Sequence, residues 1–167
     1  MRHPLTPAAA CLALAGLVLA GSPAQASTRS FDDARHDAPG SNDIVRTTVT
    51  NGSRIGVTIR HRDLTRSASD IQFKVRTSSG AEWTVFASLE GQGGQVYDGD
   101  FGLHPCPGLR VSRSLAKDRT ALSVPRSCVG GPSGRVKLQP RVQWSADGSK
   151  GDWSVNGVQH WTPWIGH

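Results

Sequence analysis

The sequence is poor in the residues on which most enzymes and metal proteins depend. Its 167 residues include one Met, one Tyr, four Phe and three Cys, and Glu82 and Glu90 are its only glutamates. So few glutamates give little material for paired-carboxylate glycoside chemistry. There is no HExxH, no G-x-S-x-G elbow, and no DFG with a Gly-rich phosphate loop. Zinc proteolysis, serine hydrolysis of the α/β type and kinase chemistry therefore have no motif to rest on. His61-Arg62-Asp63 spells the kinase catalytic tripeptide, but without those companions it reads as a strand end, with Arg62 in solvent and Asp63 opening a turn. The expectation is a protein with no catalytic residue, no cofactor and no metal. Also missing are internal repeats and any long stretch of apolar residues at helical spacing, so a helical bundle or repeat array is excluded.

The one long apolar run lies at the start. Arg2 precedes an unbroken apolar stretch from Ala8 to Ala20, and small residues then lead to Ala24-Gln25-Ala26. That order is the pattern of a secretory signal peptide over residues 1–26, cleaved between Ala26 and Ser27. As a helix the run would span about 20 Å, short of the roughly 30 Å of bilayer hydrocarbon, so no transmembrane segment is expected after cleavage. Cys11 lies inside the run, where lipid attachment does not occur. The remainder is of single-domain size. It is expected to be secreted, either extracellular or associated with the cell wall.

Lys and Arg outnumber Asp and Glu by 19 to 13, giving a formal charge of +6. A basic exported protein favours anionic neighbours such as wall polymers, lipid headgroups or extracellular nucleic acid. Nothing in the pattern points to sequence-specific nucleic-acid binding. After cleavage only Cys106 and Cys128 remain, and in an oxidising compartment they are expected to form one disulfide. On a chain-entropy account, closing a loop of about 22 residues constrains the unfolded state by roughly 3 kcal/mol. A zinc site would need more ligands at tighter spacing, even with His104 close by.

Residues 27–42 are rich in Ser, Asp, Pro and Gly, with Phe31 the one large apolar residue, and predict a flexible leader before a single domain over 43–167. From there apolar residues recur at every second position, the period of half-buried strands. Ile55, Val57 and Ile59 alternate with Arg54, Thr58 and Arg60. Ile71, Phe73 and Val75 alternate with Gln72, Lys74 and Arg76. Trp83, Val85, Ala87 and Leu89 continue the series, as do Val136, Leu138, Val142 and Trp144, with Pro140 where an edge or bulge would tolerate it. Further strands are expected over 44–50, 109–115 and 120–124, and one helical turn over 125–128. Asn51-Gly52 predicts a tight hairpin through positive φ, Ser78-Ser79-Gly80 and Ala116-Lys117-Asp118 predict turns, and Gly91 to Gly99 a loop broken by Val96-Tyr97. With 19 Gly and 10 Pro, the pattern indicates an all-β fold: an antiparallel two-sheet sandwich, jelly-roll or Ig-like, of seven to nine short strands. An open β-barrel is the alternative.

Four of the five Trp residues, Trp144, Trp153, Trp161 and Trp164, lie near the C-terminus. Trp153, Trp161 and Trp164 sit among Gly, Asn, Gln and His and are candidates for stacking on a ligand; the competing role is core packing and closure of the sheet. A second candidate surface is basic: Arg54, Arg60, Arg62, Lys74, Arg76, Arg135, Lys137 and Arg141 fall on polar strand faces and form a continuous stripe only if their strands are neighbours. Arg60 and Arg141 represent it among the ligand-binding candidates. Asp32, Asp33, Asp37 and Asp43, with Asp98 and Asp100, raise calcium as a question, but they lack EF-hand spacing, and Asp is common in turns for its own hydrogen bonds.

Asp43-Ile44-Val45, Arg60-His61-Arg62-Asp63-Leu64, Cys106-Pro107-Gly108-Leu109, Asp118-Arg119 and Val124-Pro125-Arg126-Ser127-Cys128 together resemble small exported β-sandwich proteins of high-GC Gram-positive bacteria. The layout is more loosely similar to carbohydrate-binding and DOMON-like sandwiches, which implies a binding role at the level of fold. The acidic turn that often follows the strand matching 72–77 in such proteins is absent here, and the Trp-rich tail lies outside the resemblance. The expected function is non-enzymatic binding of an envelope or extracellular polymer, a polysaccharide or an anionic wall polymer. The alternatives are a protein-interaction module without a small ligand, and an exported hydrolase.

Overall fold

The computed structural model describes residues 26–66, 70–88, 93–131, 133–143, 150–154 and 160–167. Residues 1–25 of the expected signal peptide over 1–26, with Leu89, Glu90 and Trp144, lie outside the described residues. Among the described residues eleven strands follow one another: β1 (Ser27–Asp32), β2 (Ile44–Asn51), β3 (Arg54–His61), β4 (Asp70–Thr77), β5 (Glu82–Ala87), β6 (Gly94–Asp98), β7 (Leu103–His104), β8 (Arg110–Ser114), β9 (Arg119–Pro125), β10 (Val136–Gln143) and β11 (Gly151–Trp153). One sheet has the order β1-β2-β3-β9-β8 and the other β11-β10-β4-β5-β6-β7, neither closed into a barrel. Every pairing between these strands is antiparallel. No described helix is long and apolar enough to cross a membrane.

The period-two pattern is what makes two sheets stack. Val49, Ile55, Val57, Ile59, Leu122 and Val124 from the first sheet meet Phe73, Val75, Val85, Val96, Leu138 and Val142 from the second, all essentially excluded from water. Burying each such side chain contributes about 1.5–3 kcal/mol. Cys106 and Cys128 form the expected disulfide, with Cα atoms 5.5 Å apart. It ties the crossing between β7 and β8 to the 3-10 turn Arg126–Cys128 that follows β9.

Several local expectations are corrected. The segment over 27–42 is not all leader: Ser27–Asp32 pairs with β2 along its whole length, from Ser27 opposite Asn51 to Asp32 opposite Arg46. Phe31 turns inward against the core, and Arg46 holds Asp32 at 2.6 Å through Nε and 3.1 Å through Nη2. Most side chains of this edge strand are exposed, so its sequence is polar and its pairing was hidden. Gly94–Asp98, expected within a loop, is strand β6. These additions, with the short β7 and β11, raise the strand count beyond nine.

The hairpin at Asn51-Gly52 forms, but neither residue has positive φ. Asn51 is instead a buried hub. Its Nδ2 donates to the carbonyls of Gly134 (3.1 Å), Ile165 (3.0 Å) and Gly166 (2.7 Å), while its Oδ1 accepts from Nε and Nη2 of Arg126. Arg126, 2% exposed, also donates to the carbonyls of Ser133 and Gly134. Pro140 lies in β10, between β4 and the C-terminal segment. The N–H and C=O of Val136 bond Ile165, and the N–H of Ser154 bonds the Pro140 carbonyl at 3.3 Å. Alternate residues from Val136 thus face away from β4, and the N–H that Pro140 lacks would fall between β11 and the tail, costing no bond to β4.

Candidate cation and aromatic surface

The second sheet presents the basic stripe. β10 pairs β4 with Lys137 opposite Arg76, Gln139 opposite Lys74 and Arg141 opposite Gln72. Val136, Leu138 and Val142 fill the core, so the intervening Lys137, Gln139 and Arg141 point to the outer face. The condition for a continuous stripe, neighbouring strands, is met for Lys74, Arg76, Lys137 and Arg141.

The tail brings the tryptophans to the same face. Residues 161–165 run beside β10: the Thr162 N–H donates to the Leu138 carbonyl at 2.8 Å, Thr162 Oγ1 accepts from the Leu138 N–H at 2.9 Å, and Ile165 pairs with Val136. Thr162 and Ile165 are buried, which leaves Trp161 and Trp164 on the other side of the segment. The Arg76 guanidinium lies 4.9 Å from the Trp161 ring centre, Lys137 Nζ lies 5.3 Å from both Trp161 and Trp164, and Arg135 lies 5.7 Å from Trp164. On β11, Trp153 is opposite Arg141, whose guanidinium is 4.7 Å from its ring centre. A Cβ at Gly151 would collide with that guanidinium, so glycine is what lets Arg141 lie across β11. Each cation over a ring contributes about 0.5–1 kcal/mol when exposed. Burial lowers the pKa of Arg141; Trp164 stays 37% exposed.

Trp153, Trp161, Trp164 and Arg141 therefore share one surface, joined by Arg76, Arg135 and Lys137. Arg60 does not join it. It lies on the outer face of the first sheet, between Arg46 on β2 and Arg119 on β9, two arginines that strand patterning did not single out. Arg54 is engaged by Ser123 Oγ (2.8 Å) and the Gly108 carbonyl. Arg62 is not simply in solvent, since its Nε pairs with buried Asp43 at 3.0 Å. His61 is 1% exposed. It donates from Nδ1 to the Ser41 carbonyl and accepts at Nε2 from Thr120 Oγ1, both at 2.8 Å. Burial pushes its pKa down to about 4. Trp83 faces inward, its ring edge-on to His104 at 5.1 Å. Of the acidic candidates, Asp98 makes a turn of its own: its Oδ1 accepts from the N–H groups of Asp100 (3.1 Å) and Gly102 (2.7 Å).

No protein-family model matches the chain, and no curated protein matches it either.

Proposed function

We propose that the protein is exported and binds an anionic polymer of the cell envelope or extracellular space, without altering it chemically, through the outer face of β4, β10 and the C-terminal segment. The observation that carries this proposal is the interleaving of Trp161 and Trp164 with Arg135, Lys137 and Arg76, the last also paired with Glu82, continued by Trp153 over the buried Arg141. A cation held beside a ring meets a phosphate or carboxylate, and the ring covers the sugar or polyol between charges. A neutral glycan fits less well, because it would have to displace the cations already over the rings. Export is supported by the signal-like segment over 1–26, by a disulfide bond, and by β1 beginning at Ser27, the first residue after the expected cleavage.

Intrinsic tryptophan fluorescence, titrated with wall teichoic acid, an acidic polysaccharide, a neutral glucan and duplex DNA, tests the proposal. The two acidic wall-type polymers are expected to bind, and Trp164→Ala and Lys137→Gln to weaken binding several-fold each, through the loss of a ring face and of a charge that meet the polymer. Binding of the neutral glucan alone, or of DNA in preference, would overturn it. A second reading, in which the tail only closes the sheet, is favoured by the burial of Thr162 and Ile165. It predicts that no polymer binds and that Trp164→Ala unfolds the protein.

A further inference from the structure

Apart from the basic face, the fold gathers carboxylates from distant parts of the chain. Asp33 follows β1, Asp37 lies in the connection to β2, and Asp152 sits in β11. One carboxylate oxygen of each lies within 4.8 Å of those of the other two. Asp152, 5% exposed, faces the interior beside Val142 and accepts the Ile44 N–H through Oδ2 at 2.6 Å. Asp43, next to Ile44, is fully buried and is among the charges that act on Asp152, with Asp33 and Asp37.

Two further buried oxygens, on the residue beside Ile44 and on the residue two after Asp152, lack a partner in the protein's own groups. Asp43 Oδ2 is taken by the His36 N–H (2.9 Å) and by Arg62 (3.0 Å), whereas its Oδ1 is buried with no hydrogen-bond partner among the described residues. Ser154, two positions after Asp152, is fully buried, and its hydroxyl likewise has no hydrogen-bond partner among them. A buried polar atom without a partner is costly, and clustered carboxylates repel one another, most strongly where one of them, Asp152, is buried. A cation at their centre removes both penalties.

From this geometry we infer that Asp33, Asp37 and Asp152 form a calcium site, with Asp43 Oδ1 and the Ser154 hydroxyl as the adjoining oxygens. The donors are all hard oxygens, which suit calcium or magnesium and not zinc or copper. Ligands drawn from separate segments make the irregular shell that calcium accepts and that the strict octahedron of magnesium does not. The ion would fasten the β1–β2 connection to β11, whose opposite face carries Trp153. The acidic residues at the chain's start were visible in the sequence as a calcium question; Asp152, far along the chain, was the absent member. The site goes beyond the polymer-binding proposal and does not rest on it.

Equilibrium dialysis of the folded, disulfide-bonded protein against radioactive calcium tests this, with magnesium as competitor and thermal melting as a second readout. One calcium per chain is expected, with a dissociation constant on the order of 10⁻⁴ to 10⁻³ M as in extracellular modules, and magnesium at least about tenfold weaker. Asp37→Asn changes an exposed side chain and is expected to leave the fold intact while weakening calcium at least about tenfold. Asp33→Asn should do the same, and Asp98→Asn should have no effect. In the wild type calcium should raise the melting temperature, and this rise should disappear in Asp37→Asn. The inference is overturned if the wild type takes up no calcium at millimolar concentration. It is equally overturned if uptake survives both Asp33→Asn and Asp37→Asn, or is lost in Asp98→Asn instead.

Discussion

Replacing Arg126 by Leu should destabilise the protein by about 2–4 kcal/mol, because among the described residues the guanidinium alone donates to Asn51 Oδ1. Without it that buried oxygen is left unsatisfied, at about 1–3 kcal/mol, and hydrogen bonds from a charged donor, worth about 1.5–3 kcal/mol each, are lost. Two corrections lower the sum. The Ser133 carbonyl can return to water, and burial already holds the Arg126 pKa below the usual arginine value, so keeping the charge inside has its own cost. The Gly134 carbonyl keeps the Asn51 Nδ2 bond at 3.1 Å. Urea denaturation gives the answer as a shift of the midpoint at unchanged slope. Since Asn51 Nδ2 also holds the carbonyls of Ile165 and Gly166, amide exchange at Ile165 should accelerate more than at Val75 in the core. A loss below about 1 kcal/mol, or a gain, would refute the hub, because an apolar replacement would then satisfy the site as well as the arginine does.

Replacing Cys106 or Cys128 by Ala should lower stability by about 2–5 kcal/mol, and thiol labelling of the unreduced, denatured protein from Ser27 onward, which lacks Cys11, should find no free thiol. His61, with its pKa depressed to about 4 from a usual 6.5, binds its proton more weakly folded than unfolded. Its stability contribution is therefore complete above about pH 6.5 and falls by about 3 kcal/mol as pH drops to about 4. Asp152, whose pKa burial raises to about 7, acts in the opposite direction over much of that range. The comparison is thus wild type against His61→Gln in urea melts at several pH values, and a variant as acid-sensitive as the wild type would contradict the assignment. Mass spectrometry of secreted material should find a chain beginning at Ser27; a full-length species held in membranes would refute cleavage after Ala26. Gly151→Ala should force Arg141 off Trp153 and shift tryptophan emission without unfolding the core.

The sandwich was legible because each inward face repeats at period two: Ile55, Val57 and Ile59 appear in the sequence as they appear in the core. Strands whose side chains mostly face solvent, Ser27–Asp32 above all, carried no such signal, because their stability comes from backbone pairing with β2. The candidate surface was half legible. The tryptophans and the basic residues were each visible as a group, but as rival surfaces, because strand order is not written in local pattern. The pairing of β10 with β4, and of the tail with β10, merges them and sets Arg60 apart on the other sheet. Asn51 was read as a turn former. Its role as a hub depends on residues more than a hundred positions away, which no local spacing reveals.

The most direct measurement is the affinity of the protein for wall teichoic acid at low and at physiological salt, made on the wild type, Trp164→Ala and Lys137→Gln. If a charged polymer sits on the outer face of β4, β10 and the tail, wild-type affinity should fall steeply as the screening length shrinks to about 8 Å. Lys137→Gln should flatten that salt dependence, whereas Trp164→Ala should weaken binding at both salt concentrations and leave the slope nearly unchanged. Affinity that does not respond to salt, or that is the same in all three proteins while they remain folded, would contradict the assignment of this face as the binding surface.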